Sequence, residues 1–254
     1  ALMQRGLKVE FPTENRGYFK SIRRTQTKPK LDVLFRDSSG KLSKIKLKIA
    51  REIHSEPTAA ALAATLGFHV DVSRHVEDFK LILGDRSYSD FKREWDSYYS
   101  KYDLEKYVKS RGRDNDGNFV IFYRGLFEAK PDGLSRVGSW AWGSLGHSGI
   151  RETRALILFN QWIGNSDLKE AENNKLLLRE DQDQSRLFFS QHDLGFAFGD
   201  IFRETPGQFP WDLVSSDSGG FIDLNYSSFQ PNSGFSHITF SDARWTYRLI
   251  GQLT

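Results

Sequence analysis

The sequence predicts an α+β chain, β-rich in its N-terminal part and helix-led in its C-terminal part. Three observations carry this expectation. First, residues 31–36, "LDVLFR", and 43–49, "SKIKLKI", alternate apolar and polar positions around "DSSGK". That is the pattern of a β-hairpin with Ser-Ser-Gly in its turn. Second, "HSEPTAAALAATLGF" reads as a helix. Ser55 is a candidate N-cap, Pro57 lies in the first turn, and Gly67 closes it. Third, residues 150–163, "IRETRALILFNQWI", form the most apolar helical pattern, with Gly164 as its stop.

The remaining elements follow in order. Residues 68–72 and 78–83 read as strands. Phe91, Trp95, Tyr98, Tyr102 and Leu104 share a helical face, so an inserted helix is expected at about 89–110, with Gly112 at its end. Tyr99 falls off that stripe, on the exposed side. "RDNDGN" is a turn, and 119–127, "FVIFYRGLF", is a buried strand. Residues 128–149 read as Gly/Ser/Trp-rich loop. Strands are expected at 175–179 and 186–190, then mostly loop from 202 to 241. A last helix follows at 241–253, with Ser241 as candidate cap. The expected division is a basic extension at 1–30, an N-terminal part at 31–127 and a C-terminal part at 128–254 that reads as truncated at its C-terminus.

Composition narrows the classes. The chain has 254 residues, 27% charged and 38% hydrophobic, as ordinary globular proteins have. No apolar run is long enough to span a bilayer, and the N-terminus has no signal-peptide pattern. The expectation is a soluble protein, cytoplasmic or exported after processing. The absence of Cys excludes disulfides, thiolate metal sites and a cysteine nucleophile. Residues 1–30 carry eight Lys and Arg against two Glu, although the whole chain is only +3. No nucleic-acid motif accompanies this basic arm, so a nucleic-acid partner is not expected. The six His show no metal-ligand spacing. "GSLGHSG" leads into a helix N-terminus but lacks the Lys-Ser/Thr pair of a Walker loop.

The chemistry-bearing stretch is "NQWIGNSDLKEAENNKLLL", residues 160–178. A loop between a buried helix and a strand holds side chains rigidly at an edge. Asp167 there can orient a hydroxyl or take its proton, and Lys169 can neutralise a phosphate. An amide oxygen of Asn173 or Asn174 can ligate Mg²⁺. One hairpin later, Asp193 in "HDLG" returns a carboxylate to the same edge. The alternative for each piece is ordinary cap and turn chemistry.

This order resembles the catalytic and metal loops of the protein-kinase-like fold, an Asp-x-Lys-x-x-Asn loop followed by Asp-x-Gly. The likeness is nearest to the atypical bacterial branches, the HipA-type and spore-coat kinases. It implies a two-lobed α+β kinase-like domain with a β-rich N-lobe and a helix-led C-lobe. It also implies ATP and Mg²⁺ as cofactors and a hydroxyl acceptor of unstated class. By this resemblance Asp167 and Lys169 are catalytic, and Asp193 with Asn173 or Asn174 holds the metal. Lys48, with Lys46 as alternate, contacts nucleotide phosphates. Glu56 steadies the lysine, with Glu52 competing for that role. Ser38 and Ser39 cover the phosphates. The sequence departs from the pattern in four places: the Asn comes one or two positions late, Ser166 precedes Asp167, Glu56 stands at the start of its helix rather than the middle, and the hairpin has one Gly. Two other readings stand beside this one. The first is a nucleotide-binding, pseudokinase-like docking module. The second is an aromatic-rich protein that binds a carbohydrate or a surface partner through the loops at 139–142 and 202–235.

Overall fold

The computed structural model describes residues 9–24, 28–49, 51–129, 133–142, 150–180, 184–198, 214–218, 221–224 and 238–253. The strands are β1 (Arg16–Ile22), β2 (Lys30–Arg36), β3 (Leu42–Lys48), β4 (His69–Val70), β5 (Val72–Gly84), β6 (Val108–Asp114), β7 (Gly117–Ala129), β8 (Leu134–Gly138), β9 (Asn174–Glu180), β10 (Ser185–Gln191), β11 (Val214–Ser218) and β12 (Phe221–Leu224). The α-helices are α1 (Ser55–Thr65), α2 (Tyr88–Tyr99), α3 (Arg151–Trp162), α4 (Glu170–Asn173) and α5 (Phe240–Ile250). The chain divides into two compact units. The first, the barrel unit, is Lys8–His54 with Val72–Pro131. The second, the sheet unit, is Ala1–Leu7, Ser55–Asp71 and Asp132–Thr254.

The two-lobed kinase-like α+β fold expected from the motifs is not the fold of this chain. Among the described residues strand outweighs helix, and five strands close into a barrel. The closure runs β1–β2–β3–β7–β5 and back to β1. Its seams are antiparallel except β1–β5, where Arg16, Gly17 and Tyr18 run parallel to Lys80, Leu81 and Ile82. Long strands make closure possible. β5 and β7 have 13 residues each, and β7 pairs with β5, β6 and β3. Closing a sheet on itself removes the exposed strand edges of the barrel.

Alternation fills the interior. Leu31 and Val33 of β2, Leu47 of β3, Phe79 and Leu81 of β5, and Phe122 and Phe127 of β7 are each fully buried in one cluster. Helix α2 adds Phe91, Trp95 and Tyr99 to it. Ser87 caps α2 by accepting a hydrogen bond from the Asp90 N–H at 3.1 Å. At the β6–β7 turn, Gly117 has φ +104°, and a Cβ there would lie 2.5 Å from the Gly84 carbonyl oxygen. Only glycine fits that close approach.

Several local expectations are corrected. The helix expected at 89–110 ends at Tyr99, and 108–114 is strand β6. Asp103 caps a 3-10 turn at Leu104–Lys106 that redirects the chain. Tyr99 is buried, because its hydroxyl accepts from the Lys30 N–H at 3.3 Å and donates to the Arg23 carbonyl. β5 runs unbroken through 73–77, and β8 lies in the stretch read as loop. β11 and β12 pair within the other stretch read as loop.

The sheet unit holds a four-stranded sheet in the order β4-β10-β9-β8. Only β4–β10 is parallel. Its core joins Ala59 and Ala63 of α1 to Leu156 and Phe159 of α3, with Trp140 and Trp142. Thr239, not Ser241, caps α5, through a capping box with Asp242. The register of apolar residues places the first turn two residues earlier than a Ser cap would. Asp242 also takes two hydrogen bonds from Arg154 of α3, at 2.7 and 3.0 Å. Asp242→Ala removes the cap and leaves Arg154 short of its carboxylate. We expect a loss of about 2–4 kcal/mol, read as a lower urea midpoint of the sheet unit. A loss under about 0.5 kcal/mol would mean the pair contributes nothing.

Candidate functional site

The loop that carries Asp167 is held by a buried amide network. Asn160, in the last turn of α3, donates to the Leu156 carbonyl at 2.7 Å and to Gln191 Oε1 at 2.9 Å. Gln191 returns a hydrogen bond to Asn160 Oδ1 at 3.0 Å, and Asn165 Nδ2 donates to the same atom at 2.7 Å. Gly164, at φ +65°, ends α3 in the left-handed region and turns the chain into this network. Asn160, Asn165 and Gln191 are fully or almost fully buried. Fully paired buried amides of this kind fix one geometry. Leu168 is buried, and its carbonyl accepts from Trp142 Nε1 at 3.1 Å. These anchors flank Asp167 on both sides.

Asp167 itself is 7% exposed. Its Oδ1 is buried and accepts no hydrogen bond among the described residues. Lys169 Nζ stands 3.6 Å from that oxygen and 3.4 Å from Glu172. Burial raises the Asp167 carboxyl above its ordinary pKa. The Lys169 ammonium opposes the rise and the Asp193 charge adds to it. The Lys169 ammonium is held above its ordinary value, because Asp167 and Glu172 outweigh its desolvation.

The two asparagines occupy different environments. Asn173 Nδ2 donates to the Asp167 carbonyl at 2.7 Å. The His192 N–H donates to the Asn173 carbonyl at 2.6 Å, which ties the end of β10 to the end of α4. Asp193 follows directly, at φ +58°. Asn174 opens β9 opposite Gln191. It is fully buried, and neither of its amide atoms has a hydrogen-bond partner among the described residues. The sheet unit thus gathers Asp167, Lys169 and Asn173 beside Asp193, with Asn174 behind them in the sheet. His192 pairs with Asp71, which also lies 3.5 Å from Lys175.

No family model matches this chain. No curated protein and no solved structure matches it either.

The other sequence-selected residues lie as follows. Glu56 is buried in the first turn of α1, in the sheet unit. Lys46 and Lys48 stand on β3 of the barrel unit. Lys48 is fully buried, 2.6 Å from Glu128 and 3.7 Å from Glu52. Lys46 is 3.7 Å from Glu128. Ser38 and Ser39 are exposed in the β2–β3 turn. Their hydroxyls donate to Glu10 at 2.8 Å and to Asp37 at 2.6 Å.

Trp140 and Trp142, in the 139–142 stretch that motivated the carbohydrate- or surface-binding reading, are buried and T-shaped to each other at 4.7 Å. The loop "GSLGHSG" and most of 202–235 lie outside the described residues. Sequence reasoning missed Glu128, which carries no motif, and the Asn160–Asn165–Gln191 network. The network had one signal: an Asn inside an otherwise apolar helix, which is costly unless its amide is paired.

Proposed function

We propose that the chain is a metal-dependent phosphotransferase that moves a phosphoryl group from ATP to a hydroxyl acceptor. The observation that carries the reading is the Asp167 carboxyl. It is buried, has an oxygen without a hydrogen bond, and is flanked by Lys169 and Asn173. A carboxylate held this way can accept a proton or a hydrogen bond from an incoming hydroxyl, and its raised pKa makes it a better base. Lys169 offsets charge on the transferred group.

The donor set suits Mg²⁺, which prefers hard oxygens: the Asp193 carboxylate and the Asn173 amide oxygen. When bound, the ion would neutralise charge developing on the phosphate oxygens. Asn173 suits this role better than Asn174, because its amide is hooked to the Asp167 backbone while that of Asn174 is enclosed in the sheet.

The test is a thermal shift with Mg-ATP on the full chain. The wild type is expected to be stabilised. Asp193→Ala is expected to lose the shift while keeping its ligand-free melting point. An Asp193→Ala chain that binds Mg-ATP like the wild type sinks the assignment.

A further inference from the structure

We propose that His54 and His75 form a proton-operated latch within the barrel unit. It holds the turn at Arg51–Ile53 on the outer face of the barrel while His54 is neutral, and releases that turn when His54 takes a proton. Strand register sets the frame. In the β5–β7 ladder His75 stands opposite Leu126, and Glu77 stands opposite Arg124. Residues directly opposite each other, and residues two apart on one strand, share a face. Val76, between the two β5 residues, belongs to the barrel core. His75, Glu77, Arg124 and Leu126 therefore line the outside. The 3-10 turn at Arg51–Ile53 delivers His54 onto this face. The His54 and His75 ring centroids are 4.9 Å apart, with the planes tilted by 36°. No spacing in the sequence marks the pair, because only the fold returns β5 to the end of this turn.

One contact decides which form of His54 the latch uses. Arg124 Nη1 lies 3.3 Å from His54 Nε2. A guanidinium can only donate, so Nε2 is the acceptor and carries no proton. A proton there would set donor against donor and cation against cation. The charged and titratable groups facing His54 are Arg124 of β7 with His75 and Glu77 of β5. Glu77 favours the proton, but it is largely exposed and lies 3.9 Å from Arg124. Glu52, on the turn itself, is engaged by Lys28 and Lys48. Burial of the ring, helped by His75 and Arg124, holds the His54 pKa below its ordinary 6.5. An unfolded chain therefore takes this proton at higher pH than the folded one. The latch is complete above the ordinary value and is lost as pH falls from there through the folded value. His54 is the last residue of this stretch of the barrel unit. Its release loosens the point where the chain leaves the barrel.

The experiment follows the full chain, labelled at its histidine rings, by NMR between about pH 8 and about pH 5. His54→Gln keeps an acceptor for Arg124 but takes no proton. Arg124→Met removes the cation. In the wild type, His54 is expected to titrate below the ordinary histidine value. The cross-peak between the His54 and His75 rings is expected at about pH 8 and lost at about pH 5. Over the same range the amides of Glu52, Ile53 and His54 should lose about threefold or more in protection from exchange, corrected for the intrinsic rate. The Phe79 and Phe122 amides should keep theirs. His54→Gln should show no such loss, and Arg124→Met should move the His54 titration up towards the ordinary value. A wild-type His54 that titrates at or above the ordinary value overturns the proposal, and so does a ring cross-peak that persists at about pH 5. The same loss of protection in His54→Gln overturns it as well, and an unmoved titration in Arg124→Met removes Arg124 from the latch. The wild-type readouts decide the matter even if neither variant folds.

Discussion

Asp167→Asn is expected to lower phosphoryl-transfer turnover by about 10²–10⁴-fold while leaving Mg-ATP binding intact. Asparagine keeps the size of the side chain but cannot take a proton. The hooks from Asn173 and Asn165 run to Asp167 backbone atoms, and both survive the change. Binding should survive with them, because it is assigned to other groups. The pH dependence provides a second check. A base works only when ionised, so turnover falls as pH drops through the Asp167 pKa. Burial lifts that pKa above the ordinary aspartate value, against the pull of Lys169. The acid limb of the kcat profile should therefore lie above the ordinary aspartate pKa. Lys169→Met removes the opposing charge and should move the limb further up. A limb that stays in place in Lys169→Met would separate the measured ionisation from Asp167.

Trp95→Ala should be among the most destabilising core changes in the barrel unit, at about 3–5 kcal/mol. Trp95 is fully buried in the cluster that joins α2 to the barrel. Its ring lies 5.5 Å from Tyr99 and 6.3 Å from Phe91 and Tyr107. Its Nε1 donates to the Tyr102 carbonyl at 2.7 Å, just where the chain leaves α2. Alanine would empty the cavity and orphan that carbonyl together. Trp95→Phe should cost less, since it refills most of the volume and loses only the hydrogen bond. Faster hydrogen exchange at the Phe79 and Phe122 amides would report the loss. Protection within about 1 kcal/mol of wild type would show that α2 contributes little to the barrel.

These two residues differ in how far the sequence revealed them. Trp95 lay on an apolar stripe at helical spacing, and the stripe is buried as that pattern demands. The β2–β3 hairpin, α1, α3 and the β9–β10 pair were legible for the same reason, since each carries its own local period and its own stop. β6 was not. Its sequence "VKSRGRD" is largely exposed and has no apolar alternation. Tyr102 and Leu104 continued the helical stripe past the real end of α2. Barrel closure was hidden more deeply, because the β1–β5 seam joins distant residues and leaves no local mark. The kinase-like architecture was inferred from short motifs, and short motifs constrain a loop far more than they constrain the strands around it. At the site, Asp167 and Lys169 were legible as a cluster. The different surroundings of Asn173 and Asn174 were not, because Asn173 ends α4 while Asn174 opens β9.

The barrel is assembled from two stretches of chain, and the residues between them, Ser55–Asp71, belong to the other unit. That arrangement sets a timetable during synthesis. When β3 leaves the ribosome, its second neighbour β7 has not been made, since β3 ends at Lys48 and β7 at Ala129. At about 5–20 residues per second, the β1–β2–β3 meander waits roughly 4–16 s with an open edge before the seam can form. The two lysines that end up beside Glu128 on that edge, Lys46 and Lys48, are charged guards for a nascent strand that would otherwise pair with whatever is nearest.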